Sequence, residues 1–372
     1  MKAWRWLILL ILTLPSLLWA LEIRHVQHDT GYLLEHGRDS LEISFEITGQ
    51  AVVQLNIYDA RDLLIRRIGS SGSLVAGLHV LRWDGRDNSG HLVPAGVYRY
   101  TLDAKAMNGN ATTYDLSELT GGERESAREI VWNEQEQTVD YILPDDSLVS
   151  ILIGLKSGGP LLNTLLDWAP RRAGANSEAW NGFDSSGVIN IGKHPDKVIS
   201  VKAFRLSDNS IIVGNQFKES WIDVSKWGEM KRPVTEITGS RRILSRSNPY
   251  RQPAQSRGSV QLEMMIPDSF PRNSDGLAQV QGKVPFSLDV AAEDKPRILQ
   301  RRFEVAFFVD GILVYENELG FLPMTWYWNT KDINPGNHYV TANLIGYEGN
   351  FGSKTMELIV LPGGPPSERT DD

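Results

Sequence analysis

The densest group of oxygen ligands in the chain is Asp84, Asp87, Asn88 and Ser89, within Trp83-Asp84-Gly85-Arg86-Asp87-Asn88-Ser89-Gly90. Crowded carboxylate, amide and hydroxyl oxygens are what a calcium loop offers, but an EF-hand needs ligands at alternate positions and a terminal bidentate Glu. Neither is present here. The same side chains suit a tight turn, because Asp, Asn and Ser bond nearby backbone N–H groups and Gly supplies positive φ. A turn without metal or cofactor is the expectation. The seven histidines are scattered, with only His25 and His28 close together, and no HExxH occurs, which argues against zinc. No G-x-S-x-G presents a nucleophilic serine, and neither a P-loop nor G-x-G-x-x-G follows a strand pattern. The acid pairs Asp145-Asp146 and Glu123/Glu125 are of the type glycosidases use, but they fall in a turn and a polar connector, where acids are usually solvated. The chain is therefore expected to have no catalytic residues and not to be an enzyme.

The elements that position these residues repeat. Trp83-Asp84-Gly85-Arg86-Asp87-Asn88-Ser89-Gly90 returns as Trp180-Asn181-Gly182-Phe183-Asp184-Ser185-Ser186-Gly187, which shares W-[D/N]-G-x-D-x-S-G at an offset of 97 residues. A looser echo is Trp328-Asn329-Thr330-Lys331-Asp332. Each copy reads as a β-arch: a strand ending on a large ring, a turn, then a second strand. The structural motif is thus Trp83, Asp84, Gly85, Asp87 and Gly90, answered by Trp180, Asn181, Gly182, Asp184 and Gly187. Self-similarity at a fixed period is the mark of a repeat architecture.

Leu41–Ile47 and Val53–Tyr58 alternate apolar and polar residues, as half-buried strands do. Gly77–Trp83 enters the first arch and Gly96–Leu102 leaves it. Short strands separated by turn signals indicate a β-sandwich. The order Leu-Asn-Ile-Tyr-Asp-Ala-Arg-Asp (55–62), Gly-Leu-His (77–79), Trp-Asp-Gly-Arg-Asp (83–87) and Pro-Ala-Gly-Val-Tyr (94–98) resembles the Ig-like domain of the flagellar hook-capping protein FlgD. That resemblance covers residues 40 to 105 and implies a small sandwich without catalytic residues. It implies fold and not reaction, and a flagellar role does not come with it. At the 97-residue offset, Val52-Val53 falls near Leu148-Val149 and Leu63–Ile65 near Leu161–Leu166, so a second FlgD-like sandwich is expected. Val198–Phe204 is the candidate strand after its arch. A third unit begins at Ser259–Met265 and continues through Val284–Val290, Phe303–Val309 and Ile312–Tyr315. Its tryptophan strand followed by Pro335-Gly336-Asn337-His338 resembles a bacterial Ig-like module.

The expected class is all-β, with tandem Ig-like or fibronectin-like sandwiches. The boundaries are a signal peptide at 1–20, sandwiches at 21–107, 138–225 and 258–362, a connector at 108–137, a basic linker at 226–257 and a disordered tail at 363–372. The signal reading rests on Lys2 and Arg5 ahead of the apolar run Trp6–Trp19, which is shorter than the roughly 20 residues a membrane span needs. No later stretch is apolar enough to span a bilayer. Without cysteine there is no lipobox, disulfide or thiol chemistry, so a periplasmic or secreted location is expected. The formal charge of −8 becomes −10 when Lys2 and Arg5 leave, which argues against nucleic acid as a partner.

Two groups are candidates for binding. Trp326, Tyr327 and Trp328 are consecutive, so a strand puts Tyr327 on the opposite face from both tryptophans, and at least one ring is exposed if one face is core. Trp328 would then fill the core as Trp83 and Trp180 do. Arg241, Arg242 and Arg246 belong to the one strongly basic stretch, a hinge or a dock for an acidic partner. The function expected is a non-enzymatic scaffold or adaptor that binds other cell-envelope proteins through sandwich edges and loops. The alternative is an array of carbohydrate-binding modules that recognises cell-wall or exopolysaccharide glycans.

Overall fold

A computed structural model describes residues 20–28, 40–60, 62–117, 119–214, 258–347 and 349–362. Apart from Ala20, the expected signal segment lies outside these residues, as do the expected basic linker with Arg241, Arg242 and Arg246, and the expected tail. The chain is all-β, and the one helix among the described residues is a four-residue turn. Among the described residues no helix is long and apolar enough to cross a membrane. The chain forms two compact units, one of 1–57, 64–93 and 100–115 and one of 58–63, 94–99 and 116–372.

The first unit is built from β1 (Ile23–His28), β2 (Leu41–Ile47), β3 (Ala51–Tyr58) as far as residue 57, β4 (Leu64–Leu74), β5 (Gly77–Trp83), β6 (Gly96–Lys105) from residue 100 onward, and β7 (Ala111–Tyr114). Its two sheets run β1-β2-β5 and β4-β3-β6, with β7 also on β6. β2 buries every second residue, Leu41, Ile43, Phe45 and Ile47, which is the alternation read from the sequence. Trp83 is fully buried at the end of β5.

The second unit holds two apolar cores. The first core lies between β8 (Arg124–Glu125), β9 (Arg128–Asn133), β10 (Thr138–Leu143), β11 (Ser147–Leu155), β12 (Leu161–Arg171), β13 (Gly174–Ala179) and β14 (Lys197–Arg205), arranged as β13-β10-β9 and β12-β11-β14-β8. Trp180 belongs to this core beside Tyr141, Leu162 and Leu166. β15 (Ser210–Val213) pairs antiparallel with Gly96–Arg99, and Ile212 and Val97 join the same core. The polar stretch Asn108–Gln137, expected as a connector, contributes β7, β8 and β9. These are edge strands whose side chains stay largely in water, so no apolar alternation marks them.

The second core is enclosed by β16 (Gly258–Ser259), β17 (Leu262–Met265), β18 (Ala278–Val280), β19 (Lys283–Val290), α1 (Lys295–Ile298), β20 (Phe303–Val309), β21 (Ile312–Asn317), β22 (Met324–Asn329), β23 (Gly336–Gly346) and β24 (Asn350–Val360). One sheet is β17-β19-β22 and the other β16-β24-β23-β20-β21, with β18 also parallel to β24. Three strands facing a larger sheet is the arrangement of the first unit as well. Strand starts keep the 97-residue offset: Leu64 and Leu161 open β4 and β12, while Gly77 and Gly174 open β5 and β13.

Candidate interaction surface

The polar arch residues are occupied by the backbone. Asp87 Oδ1 accepts the Ser89 and His91 N–H groups at 2.8 and 2.9 Å. Asp184 repeats this and adds one, accepting Ser186, Val188 and Ile189 N–H groups. Asp84 and Asn181 each accept the N–H two residues on, from Arg86 and Phe183. Trp83 and Trp180 each donate their indole N–H to the carbonyl three residues later, at 2.9 and 2.8 Å. Gly85, Gly90, Gly182 and Gly187 all take φ between 70° and 83°, the left-handed region that favours glycine. The two arches therefore share most of their turn bonds, in which carboxylate and amide oxygens cap backbone N–H groups.

The third echo is partial. Asn329 accepts the Lys331 N–H at 3.1 Å, as Asp84 and Asn181 do for Arg86 and Phe183. A fuller copy of the turn lies elsewhere, at Arg272-Asn273-Ser274-Asp275-Gly276. There Asn273 accepts the Asp275 and Leu277 N–H groups, and Arg272 donates to the Gly276 carbonyl as Arg86 does to Gly90. With Asn in place of Asp and no preceding tryptophan, that copy escaped a reading keyed on Trp. The spacing R-[D/N]-x-x-G would have found it.

A second device recurs at strand starts. The residue two after a glycine bonds back to the carbonyl two before it: His79 to Val75, Tyr98 to Pro94, Asn176 to Arg172 and His338 to Asn334, at 2.7 to 2.9 Å. Tyr98 is the tyrosine corner of Ig-like sandwiches. Burial, with Asp59 nearby, pushes its phenol well above the usual range, so it serves as a neutral donor. His338 bonds Asp310 through Nδ1 at 2.6 Å and the Asn334 carbonyl through Nε2. Burial alone would lower its pKa, but the bonds to Asp310 and Asn334 outweigh that and raise it. Of the sequence's acid pairs, neither forms as written: Glu125 shares a hydrogen bond with Asp145, and burial plus that carboxyl raises Glu125. Ser147 and Arg205 sit on the same pair, which lies where β8 meets β14 and belongs to strand docking.

β22 separates the aromatic candidates. Its burial alternates strictly, with Met324, Trp326 and Trp328 in the core and Thr325, Tyr327 and Asn329 outside. Trp326 stacks on Phe307 at 4.5 Å and Trp328 lies near Phe286, so neither ring is within a ligand's reach. They are core residues, because period-two geometry commits both to the face that Phe286 and Phe307 occupy. Tyr327 is 54% exposed, with Lys283 Nζ 4.5 Å from its ring centroid.

Sheet edges offer unpaired backbone groups to other chains, and proteins blunt them with charge, glycine, proline, bulges or cover. The β24 edge is covered by β16 and β18. β12 is covered by a side chain: Asn343 accepts the Leu161 N–H at 2.8 Å and donates to the Leu161 carbonyl at 2.7 Å, standing in for a paired peptide. Ser353 adds a second donor to that carbonyl. Of the edge strands longer than four residues, β1, β4, β5, β9, β12, β13 and β21 each carry at least one charged residue. β22 carries none, has no glycine or proline, and keeps an unbroken register with β19. β21 lies against it across the core, Tyr315 to Trp326 at 6.2 Å. Six of the twenty exposed large apolar side chains among the described residues fall between Ile312 and Tyr327. Tyr327 is legible from strand alternation, whereas Ile312, Leu313, Val314, Leu319 and Phe321 are not, because an apolar run reads as core until the sheet order shows that it ends a sheet.

A family model, the FlgD Ig-like domain, matches residues 31–110. Similar solved structures include FlgD from P. aeruginosa, at 26% identity over 22% of this chain with a TM-score of 0.20, a match that spans 61% of that chain. Others are the fibronectin(III)-like modules of Clostridium thermocellum CbhA, at 9% identity over 90% of this chain and 93% of that one (TM-score 0.19), and a 1.5-MDa bacterial ice-binding adhesin, at 11% over 92% and 98% (TM-score 0.18). No curated protein matches the chain. The Trp83 arch and the Tyr98 corner both fall within the residues, 31–110, that match the FlgD Ig-like domain.

Proposed function

We propose that this chain is a non-enzymatic adaptor of the bacterial cell envelope, exported through its N-terminal segment to the periplasm or cell surface. In this reading the sandwich with the Trp180 arch is a diverged second copy of the FlgD-like domain, and the last sandwich carries the binding edge. The observation that supports it is β22, a regular and uncharged edge strand, where the other long edges among the described residues are charged or covered. Strand addition there would supply affinity through backbone hydrogen bonds, with Tyr327 as an anchor. The test is affinity capture from the envelope fraction by the wild-type chain and by Tyr327→Lys, which places a gatekeeping charge on the edge. Partners held by wild type and lost from the variant are expected. Recovery of the chain alone, as a monomer, would count against the adaptor reading.

A second reading, glycan recognition, is favoured by the exposed Tyr327 ring beside Thr325, Asn329 and Lys283. Sugar stacking needs such a ring with polar neighbours. Binding on a glycan array that Tyr327→Ala abolishes and Trp326→Phe spares would support it; silence on a broad array would sink it.

A further inference from the structure

The open side of the third sandwich has a sign as well as a shape. From Ile312 to Asn329 the chain has two carboxylates, Glu316 and Glu318, both exposed, and no Lys, Arg or His. On the other side of β22 Lys283 is engaged over the Tyr327 ring, and beside Glu318 stands Arg302, Glu318 and Arg302 both acting on Tyr347. Around the carboxylates stand exposed apolar groups, chiefly Ile312, Leu319 and Phe321. A second copy of this chain is a poor occupant, because two-fold pairing would bring Glu316 and Glu318 towards their own counterparts in a chain of net charge −8. We propose that the β21/β22 side takes a cationic, extended segment of another protein, added as a strand to β22 with Lys or Arg side chains drawn to Glu316 and Glu318.

The geometry requires little reach. β21 and β22 are successive strands ending the two sheets of one sandwich, and stacked sheets lie about 10 Å apart, within the span of a Lys or Arg side chain from an added strand. Charge would speed encounter and choose among partners, while backbone pairing and the apolar groups would hold the segment. This inference rests on the adaptor reading, and the experiment separates the two.

Three ten-residue probes, alternating valine with lysine, with serine or with glutamate, are titrated into the full chain at low and high salt. The lysine probe is expected to bind about fivefold more tightly than the serine probe in 50 mM salt, and the glutamate probe more weakly than either. That preference should shrink in 500 mM salt, where screening acts within about 4 Å, and in the double variant Glu316→Gln, Glu318→Gln. Tyr327→Lys, at an exposed position, should weaken all probes. Equal binding of the lysine and serine probes at low salt would overturn the charge inference and leave the edge reading standing. Failure of all three probes would overturn the edge reading too. A dimer in sedimentation that Tyr327→Lys dissolves would replace the cationic segment with a second copy.

Discussion

Asn343→Ala tests whether the side-chain clamp on β12 does what its geometry implies. Asn343 is 1% exposed and makes two good bonds to one residue, accepting Leu161 N–H and donating to the Leu161 carbonyl. Removing them loses about 1 kcal/mol each. The Leu161 carbonyl keeps the Ser353 hydroxyl, but its N–H loses its partner, which adds about 1–2 kcal/mol if the site stays dry. The expected loss is about 2–4 kcal/mol in urea unfolding of the full chain. Ser353→Ala should cost about 1 kcal/mol, since Asn343 still serves both groups, and the double variant should lose more than the sum. Asn343→Asp retains an acceptor for the N–H but sets a carboxylate against the Leu161 carbonyl, so it should fall below wild type at neutral pH. A loss under about 0.5 kcal/mol for Asn343→Ala, or an Asn343→Asp variant as stable as wild type, would refute the two-bond clamp.

Adjacent residues of β22 should behave oppositely. Trp326→Ala removes a ring packed between Phe286, Phe307 and Tyr315 and should cost about 3–5 kcal/mol, while Tyr327→Ala should cost under about 1 kcal/mol, both by denaturant titration. Asp184→Ala removes the acceptor of three N–H groups at a site only 4% exposed and should destabilise by about 3 kcal/mol, more than Asp87→Ala, whose carboxylate accepts two. His338 has a raised folded-state pKa, so its stabilisation is complete below the unfolded value of about 6.5 and is lost as pH rises through the folded value. The melting temperature should therefore fall as pH rises above about 6.5, and His338→Gln should flatten that part of the profile.

Much of the fold could be read from local pattern, because half-buried strands declare themselves by alternation. Leu41–Ile47, Val284–Val290 and Phe303–Val309 appear as strands with the expected bounds or within a residue of them. The Trp83 and Trp180 arches were visible because a turn fixes residue types at fixed spacing, and their hydrogen bonds now give the reason for each position. β7, β8 and β9 were not visible, since edge strands with wet side chains have no apolar signal. Nor could spacing show that Glu125 would meet Asp145, or that Asn343 would meet Leu161, which is 182 residues away. Such pairs depend on how strands from distant segments are ordered.

The same ordering decides where an interaction edge can be. A sandwich of three strands against four to six always leaves edges, and alternation alone cannot say which are exposed. Here β24 is covered by two parallel segments, β12 by the Asn343 amide, and the other long edges bear charge. These protections operate by different physical means, yet among the described residues they leave β22 as an exception. β22 could have been blunted without harm to its core face, since Thr325, Tyr327 and Asn329 point outward and a lysine at any of them would leave Trp326 and Trp328 in place. An uncharged outward row is therefore not required by folding. The stability of the core does not explain it, and the proposed strand addition, which needs the Tyr327 edge unobstructed, would.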